Sequence, residues 1–479
     1  MRPVSRHLGL AASLLLLGAL LTEPADAADE RRHSVEGFEL RPLPYEIDDA
    51  ALKFEPLAGA SAVSGKTKRG AGYRIEAPDK WNGELVVWLE GGGQICDPET
   101  KSGCKLSAGL LPPIRKELID RGFAWAAPTF RDGRIAPKLR VQDALDVVDV
   151  FRRQHPEHKG KVRVYLMGYS MGGVTVETAL ELFPDSFDGA IAGCSGDPSV
   201  GFTGFFDMSL AAMALAAPES PEVAAFLKSL KFPVDLAAAG KLRSQIMIGL
   251  GPKFPSETNE AGRRFKEIVR RLSGGSRPMF DTGFDKIVAL AVPSFMGIQP
   301  VVDAGDRSFI DNRTTEYRFE ARPGEAMSAA EAALNAAIPR FGCDPSVCSQ
   351  ARITQDQDHN LGGFLRLSGK IRTKLLAMYT TGEQIAWLSG GQAYADRVDA
   401  SHASNDLVQR AYREEDHCGF NEQEATEAFD DLVKWVKTGA RPAGDDIRAP
   451  AKVAAQNFGC SFTRGAHKDD ADYSRVCTR

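Results

Sequence analysis

The sequence has little of what marks a metal-binding, nucleic-acid-binding or membrane protein. Among its 479 residues only eight are histidine, and neither His nor Cys recurs at the spacing of zinc ligands. The formal net charge is −5 with acidic and basic residues well mixed, so no surface for nucleic acid is predicted. Beyond the N-terminus no apolar run approaches the roughly 18 residues of a membrane-spanning helix. What remains is a hydrophobic fraction of 43%, typical of a globular protein.

The N-terminal residues 1–27 have the pattern of a secretory signal peptide. Arg2 and Arg6 precede an apolar run from Leu8 to Leu21, and small residues end at Ala27. The apolar run is short for a membrane span. We therefore predict an exported protein, secreted or periplasmic, that is cleaved near Ala27. The alternative is an uncleaved anchor.

The cysteines are eight in number, an even count. In an oxidising compartment such a count favours disulfides over metal binding. Three local pairs would close short loops, and Cys194 and Cys418 remain after them. The three pairs are Cys96 with Cys104, Cys343 with Cys348, and Cys460 with Cys477.

The stretch Lys161–Gly173 combines a buried strand, the pattern G-x-S-x-G and the start of an apolar helical spacing. This is the context of a nucleophile elbow, in which a strained turn lifts the hydroxyl of Ser170 above the sheet. Gly168 and Gly172 would keep Cβ atoms away from the tight crossing of strand and helix. The N–H of Met171, at the helix N-terminus, can face a developing oxyanion. The alternative is a Gly/Ser turn that only joins a strand to a helix.

Strands and helices alternate on both sides of this elbow, which predicts a mostly parallel sheet flanked by helices. The core takes residues 28–196 and 365–439. The predicted strands are Ala51–Leu57, Gly72–Ala77, Glu84–Leu89, Phe123–Ala127, Val162–Met167, Phe187–Cys194, Lys374–Tyr379 and Asn405–Tyr412, with a turn at Ala58–Gly70. The predicted helices are Leu111–Arg121, Leu139–Gln154, Val174–Phe183, Gly390–Val398 and Asn421–Lys437, with Asn421 as N-cap.

The alternation stops between residues 197 and 364, where the chain is mostly helical by pattern. We predict that this insertion is a cap over the site, because it follows a strand end, where open α/β sheets place their ligand crevice. Four apolar residues that open it are predicted to line the substrate pocket: Phe202, Phe205, Phe206 and Met208. The alternative is that they form the cap's own core. Residues 440–479 are predicted to be a disulfide-stapled tail.

The chain resembles the α/β-hydrolases over residues 50–196 and 365–438. That family places its nucleophile, acid and histidine in this chain order on loops at strand ends. Ser170 takes the first place. Glu383 follows the strand Lys374–Tyr379, although Asp is commoner there in the family. A solvated loop carboxylate is the alternative for Glu383, and Asp396 and Asp399 are reserve candidates for the acid.

The resemblance places the catalytic base at His417, in the loop between the last predicted strand and the last predicted helix. His359 and His402 are the rivals, and a surface-loop histidine is the alternative.

The segment Glu90-Gly91-Gly92-Gly93 follows a strand and resembles the family's H-G-G-G segment, which supplies an oxyanion-hole donor. Glu90 replaces the histidine, so the second donor beside Met171 is either Gly92 or Gly93.

His417-Cys418 also resembles the tannase and feruloyl-esterase branch, where a cysteine after the catalytic histidine is disulfide-bonded near the nucleophile. That branch has a cysteine directly before its serine, whereas this chain has Tyr169. The resemblance suggests Cys194 as the partner of Cys418. Pairing of Cys418 with a tail cysteine is the competing interpretation.

The resemblance implies an exported serine hydrolase that cleaves a small-molecule or polymeric ester through Ser170, His417 and Glu383. This chemistry needs no metal or organic cofactor, and no nucleic-acid partner is predicted. A secreted peptidase or amidase on the same fold is the first alternative, because the same triad cuts amides. A binding protein without catalytic activity is the second. The sequence predicts no oligomeric state.

Overall fold

The computed structural model describes residues 47, 49–92, 111–131, 136–156, 162–231, 234–291, 310–320, 324–342 and 364–477, with backbone alone for 287–291. Several predicted features lie outside these residues. They are the signal peptide, Gly93, the pairs Cys96 with Cys104 and Cys343 with Cys348, and the rival base His359.

Within the described residues the core is one sheet of eight strands in the order β1-β2-β4-β3-β5-β6-β7-β8. Of these eight strands only β2 points in the opposite direction to the rest, because its pairings with β1 and β4 are antiparallel and the other pairings are parallel. The strands are β1 Ala60–Lys66, β2 Gly72–Pro78, β3 Glu84–Leu89, β4 Ala124–Pro128, β5 Arg163–Tyr169, β6 Gly189–Gly193, β7 Lys374–Thr380 and β8 Leu407–Tyr412.

The sheet separates two apolar clusters because its central strands are buried on both faces. Successive side chains of a strand point to opposite faces. In β3, Leu85 and Val87 join one cluster, whereas Val86 and Trp88 join the other. Helices cover both faces, which explains why these strands are near-continuous apolar runs. The predicted α/β-hydrolase fold, with a mostly parallel sheet flanked by helices, is confirmed.

The core helices agree with the sequence pattern. The last long helix is capped at both ends: Asn421 and Glu424 form a capping box, and Gly439 ends the helix with a φ of 76°. The predicted N-cap is therefore confirmed. Outside the insertion the described ranges contain the α-helices Asp49–Leu52, Arg115–Asp120, Pro137–Gln154, Met171–Leu182, Leu388–Ala400, Glu422–Thr438, Pro450–Val453 and Tyr473–Val476.

The prediction for the first strand is wrong. Ala51–Leu57 begins with the end of a short helix, and the first strand is β1, inside the predicted turn. The sequence of β1, ASAVSGK, lacks a continuous apolar run because β1 is an edge strand with half-exposed side chains. Its pairing with β2 from Ala60 to Lys66 stabilises the strand in spite of its turn-like composition.

The insertion is mainly helical, as predicted, and has its own apolar cluster. In its described part the α-helices are Pro198–Ala216, Pro221–Ser229, Leu236–Lys241, Arg243–Leu250, Glu260–Leu272, Phe280–Ala291 and Ala329–Ala337. Among the described residues, one helical segment, Pro198–Glu219, is long and apolar enough to span a membrane. A single such segment is weak evidence for a membrane span, because a mostly buried core helix has the same length and composition. The segment is the central helix of the insertion, and 61% of its most apolar window is buried inside the protein.

Candidate active site

The turn between β5 and the helix Met171–Leu182 holds Ser170 in a strained backbone conformation, with φ 57° and ψ −124°. The crossing of strand and helix leaves no room for side chains at the flanking glycines. A Cβ at Gly168 would lie 2.5 Å from the carbonyl oxygen of Gly172, and one at Gly172 would overlap the carbonyl oxygen of Leu89. The predicted strand, strained turn and helix are therefore confirmed, together with the reason for both glycines.

The structure brings Ser170, His417 and Glu383 together. Nε2 of His417 lies 2.7 Å from Oγ of Ser170, and Nδ1 lies 2.8 Å from Oε2 of Glu383. Glu383 is 1% exposed, and its other oxygen accepts hydrogen bonds from the N–H groups of Ile385 and Ala386. A carboxylate at Nδ1 selects the tautomer in which Nε2 accepts the hydroxyl proton of Ser170.

The electrostatics of the site favour a protonated imidazole. Burial by itself would lower the pKa of His417. The negative charge of Glu383 and its hydrogen bond to the ring together outweigh burial, so the pKa of His417 is raised above its usual value of 6.5. The site therefore stabilises the positive charge that a base acquires on taking a proton.

The turn that carries Glu383 and the loop that carries His417 are joined directly. The N–H of Gly382 donates to the carbonyl oxygen of Glu414 over 2.7 Å. A Cβ at Gly382 would lie 2.5 Å from the Cα of Glu415. Only glycine lets the two segments approach so closely, and this approach sets the distance between acid and histidine.

Arg277, a residue of the insertion that sequence reasoning missed, supports the acid turn from the other side. Its buried guanidinium donates to the carbonyl oxygens of Thr381, over 2.7 Å, and Glu383, over 3.1 Å. The same guanidinium also donates to the nearby Ser273 and Gly275. No local pattern predicts its contact with the acid turn, since Thr381 and Glu383 lie more than 100 residues further along the chain.

The reserve residues lie elsewhere. Asp396 and Asp399 both pair with Arg448 at the surface, and Asp399 also accepts a hydrogen bond from Ser404. His402 is an exposed residue of the turn after the helix Leu388–Ala400. Of the described residues considered for the acid and the base, only His417 contacts Ser170, and only Glu383 contacts the other nitrogen of the His417 ring.

The glycine-rich segment after β3 lies against the elbow. A Cβ at Gly91 would be 3.0 Å from the Cβ of Ser170, so the backbone passes close to the serine. Gly92 has a φ of 63°, a conformation that glycine adopts readily. Met171 is the first residue of its helix, where an N–H has no acceptor within the helix. Gly93 lies outside the described residues.

Arg140, also missed by sequence reasoning, holds this segment in place. Its guanidinium donates to the carbonyl oxygens of Glu90 and Gly92 and lies over the ring of Phe130, 4.4 Å from its centroid. Burial raises the pKa of Glu90 to about 6, although the charge of Arg140 opposes the shift. The carboxyl group that replaces the family's histidine is thus partly protonated near neutral pH.

A disulfide joins Cys194 to Cys418 beside the serine and histidine, with Cα atoms 5.4 Å apart. The N–H of Ser170 donates to the carbonyl oxygen of Gly193, directly before Cys194. Sγ of Cys418 lies 3.6 Å from Nε2 of His417. The bridge therefore connects the backbone that supports Ser170 with the loop that carries His417.

In the tail a second disulfide joins Cys460 to Cys477, so neither tail cysteine pairs with Cys418.

The residues predicted for the substrate pocket divide into two groups. Phe206 and Met208, with exposures of 0% and 1%, lie in the insertion's own apolar cluster, so they do not line an open surface. Phe202 and Phe205 are half-buried and pack against Phe364 and Trp387. The prediction for Phe206 and Met208 is wrong because both residues lie on the face of the helix Pro198–Ala216 that packs against other residues of the insertion's apolar cluster.

A cavity of about 270 Å³ lies beside the helix Pro198–Ala216. None of the four predicted pocket residues lines this cavity. Its lining is mixed polar and apolar: Ser199, Val200, Thr203, Gly204, Asp207, Leu272, Asp311, Thr315 and Arg366.

The sheet and the elbow define the class of the protein as an α/β-hydrolase in fold. No family model matches the chain. A curated protein of Agrobacterium fabrum, named as an uncharacterized esterase, is 26% identical over 144 residues, which cover 28% of this chain and 25% of that protein. The match thus spans about a quarter of the relative's length.

Solved structures with a similar course of the chain include a lipase and an esterase. Lipase A of Candida antarctica in its closed state is 13% identical, with 92% of this chain and 89% of that chain covered and a TM-score of 0.40. Feruloyl esterase B of Aspergillus oryzae is 13% identical, with 86% of this chain and 90% of that chain covered and a TM-score of 0.38. An acylaminoacyl peptidase of Pyrococcus horikoshii is 10% identical, with 82% of this chain and 44% of that chain covered and a TM-score of 0.39. Likenesses at this level carry no argument about the substrate.

Proposed function

We propose that the protein is an exported serine hydrolase that cleaves carboxylic esters. One observation carries the proposal: the ring of His417 lies 2.7 Å from Oγ of Ser170 and 2.8 Å from Oε2 of the buried Glu383. Nucleophile, base and orienting acid within hydrogen-bond reach are the arrangement that activates a serine hydroxyl. The strained turn that presents Ser170 adds support, because such strain concentrates at functional sites.

In the proposed reaction Oγ of Ser170 attacks the ester carbonyl carbon while its proton passes to Nε2 of His417. The N–H groups of Met171 and of Gly92 or Gly93 stabilise the oxyanion of the tetrahedral intermediate. His417 then gives the proton to the leaving alkoxide, and an acyl ester of Ser170 remains. Water attacks this ester with His417 as base, releases the acid and restores the serine. Glu383 keeps its charge and orients the ring throughout.

Three further features belong to the proposal. The N-terminal pattern and the two disulfides support export, since disulfides persist in oxidising compartments. We assign residues 197–364 to a cap over the site, with Phe202 and Phe205 bordering the substrate. The substrate is a small-molecule or polymeric ester, in keeping with the name of the Agrobacterium fabrum relative. An amidase is the competing activity, because the same groups perform the same steps on an amide.

The test is hydrolysis of p-nitrophenyl acetate, butyrate and octanoate by the protein, by Ser170→Ala and by Ser256→Ala. Ser256 is an exposed serine of the insertion and serves as the matched control. We expect turnover by the parent and the control, and a fall of about 10⁴-fold or more in kcat for Ser170→Ala. Turnover of aminoacyl arylamides without ester turnover would replace the esterase by the amidase. Equal inertness of all three proteins on both substrate classes would contradict hydrolysis.

A further inference from the structure

The loop that carries His417 is held at both ends by one residue of the C-terminal tail. Glu414 lies just before this loop and Glu424 just after it, in the first turn of the helix Glu422–Thr438. The ring of His467 lies between them, with Nδ1 bonded to Oε2 of Glu414 and Nε2 3.0 Å from Oε1 of Glu424. A single imidazole therefore ties together the two flanks of the loop.

Both carboxylates also organise the local backbone. Glu414 accepts hydrogen bonds from the N–H groups of Glu415 and Asp416, each over 2.8 Å, which shapes the start of the loop. Glu424 accepts from the N–H of Asn421 over 3.0 Å, which ends the loop at the helix cap. Displacement of His467 would therefore remove the one side chain that links these two carboxylates, and each would keep only its backbone donors.

The charge of the imidazole suits this place. Burial would lower the pKa of His467, but its hydrogen bonds with Glu414 and Glu424, and then their charges, raise it to about 10. At neutral pH both ring nitrogens thus carry protons and donate to the two carboxylates. Such charge-assisted hydrogen bonds are stronger than neutral ones.

The tail itself is anchored, so His467 has a fixed position. Arg413, at the end of β8, forms a buried two-point ion pair with Asp470 over 2.7 and 2.9 Å, and its N–H donates to Thr463. Lys286 of the insertion forms ion pairs with Asp469 and Glu415. The disulfide between Cys460 and Cys477 closes the segment that contains His467, Asp469 and Asp470.

We propose that His467 is a positioning residue for His417, because it fixes both ends of the histidine loop and thereby the distances from His417 to Ser170 and Glu383. The inference rests on the proposed function for its kinetic consequence but not for its structural one. His467 touches neither Ser170 nor His417 in the structure, so its effect on the reaction passes through the loop.

The test compares His467→Gln with His467→Lys and Glu427→Gln. Glu427→Gln is the matched control, since it removes the ion pair of tail residue Arg464 with the same helix and leaves the histidine loop untouched. His467→Lys keeps a positive charge between the two glutamates. The measurements are kcat and KM on the p-nitrophenyl ester that the parent prefers, the melting temperature, and the pKa of the His417 ring by ¹⁵N NMR, assigned with His417→Gln.

For His467→Gln we expect kcat to fall about tenfold to a hundredfold with KM little changed, because small misplacements of a catalytic group have costs of this order. The pKa of His417 should fall toward its ordinary value as the contact with Glu383 loosens. Loss of a positive charge alone would raise that pKa, so a fall reports geometry. His467→Lys should lie between His467→Gln and the parent, and Glu427→Gln should equal the parent.

A lower melting temperature for His467→Gln, with kcat and the pKa of His417 unchanged, would reduce His467 to a stabilising contact and overturn the inference. If the parent turns over no ester, the proposed function fails while the NMR titration still decides the inference. If His467→Gln does not fold, Glu414→Gln weakens the same link with the tail intact, and its kcat is expected to fall in the same way. For this variant kcat alone decides, because loss of the negative charge of Glu414 would by itself lower the pKa of His417.

Discussion

The serine and the histidine of the site are held in different ways. Ser170 is constrained mainly by residues close to it in sequence, since the strand, two glycines and helix around it lie within a short stretch that contacts the two strands beside β5. His417 is held by an acid turn, a disulfide partner, a lysine of the insertion and the tail, all distant along the chain. The comparison teaches that a strained strand–turn–helix around a serine can be recognised from local sequence, whereas the contacts that hold a histidine loop come from distant parts of the fold. The predictions below test each side.

The largest effect concerns the base. His417→Ala should lower kcat on esters by about 10⁴ to 10⁶-fold, because removal of a triad histidine abolishes proton transfer. Steady-state kinetics measures this, with His402→Ala as control for an exposed loop histidine. Equal activity of His417→Ala and the parent would remove His417 from the mechanism.

Glu383→Gln should have the next largest effect. Gln keeps the size of the side chain but removes the charge that orients the ring, and kcat should fall about 10³ to 10⁴-fold. Asp396→Asn, at a surface pair with Arg448, should leave kcat unchanged. A loss with Asp396→Asn instead of Glu383→Gln would reverse the assignment of the acid.

The local side of the comparison is broken by Gly172→Ala. The added Cβ overlaps the carbonyl oxygen of Leu89, so the helix must shift and Ser170 with it. We expect kcat to fall about a hundredfold or more, as for a displaced catalytic group, and the melting temperature to fall. Gly240→Ala is the control because its Cβ would meet no atom within 4 Å. An active, stable Gly172→Ala protein would contradict the steric account of the elbow.

The distant side is broken by replacing Cys194 and Cys418 with alanine together. The bridge joins residues 224 apart in sequence, and its loss should lower the free energy of unfolding by about 2–4 kcal/mol. The loop of His417 loses one support, so kcat should fall about tenfold while Ser170 stays in place. Denaturant unfolding and ester kinetics measure the two effects. Unchanged kcat in the double variant would mean that the tail and the acid turn are enough to hold the loop.

The smallest expected effect is a shift of the pH profile of kcat/KM. The base must be neutral, so kcat/KM should rise with pH through the pKa of His417, which lies above the usual value of 6.5. In Glu383→Gln the residual activity should show this rise at lower pH, because burial lowers the pKa once the negative charge is gone. The rise in kcat/KM from pH 5 to 9 measures both. An identical pH profile for the two proteins would mean that the charge of Glu383 does not raise the pKa of His417.

Much of the fold was open to prediction from sequence. Buried strands such as Glu84–Leu89 and the capped helix after Asn421 have patterns set by local geometry, and the structure places them within a few residues. The edge strand β1 was not predicted from its sequence, because its side chains are only partly buried and its stability depends on pairing with β2. Phe206 and Met208 show the same limit, since apolar character does not tell which neighbour a helix face will meet.

The sequence by itself determined the elbow, because two glycines around a serine between a strand and a helix follow from steric demands within a few residues. It also determined which glutamate and histidine were worth testing, by their order along the chain. Only the tertiary structure decided that Arg277, Arg140 and His467 support the site, and that Cys194 meets Cys418. The contacts that connect them to the site are made with backbone oxygens, carboxylates or a cysteine sulfur of distant segments, and such contacts exist only after the chain has folded.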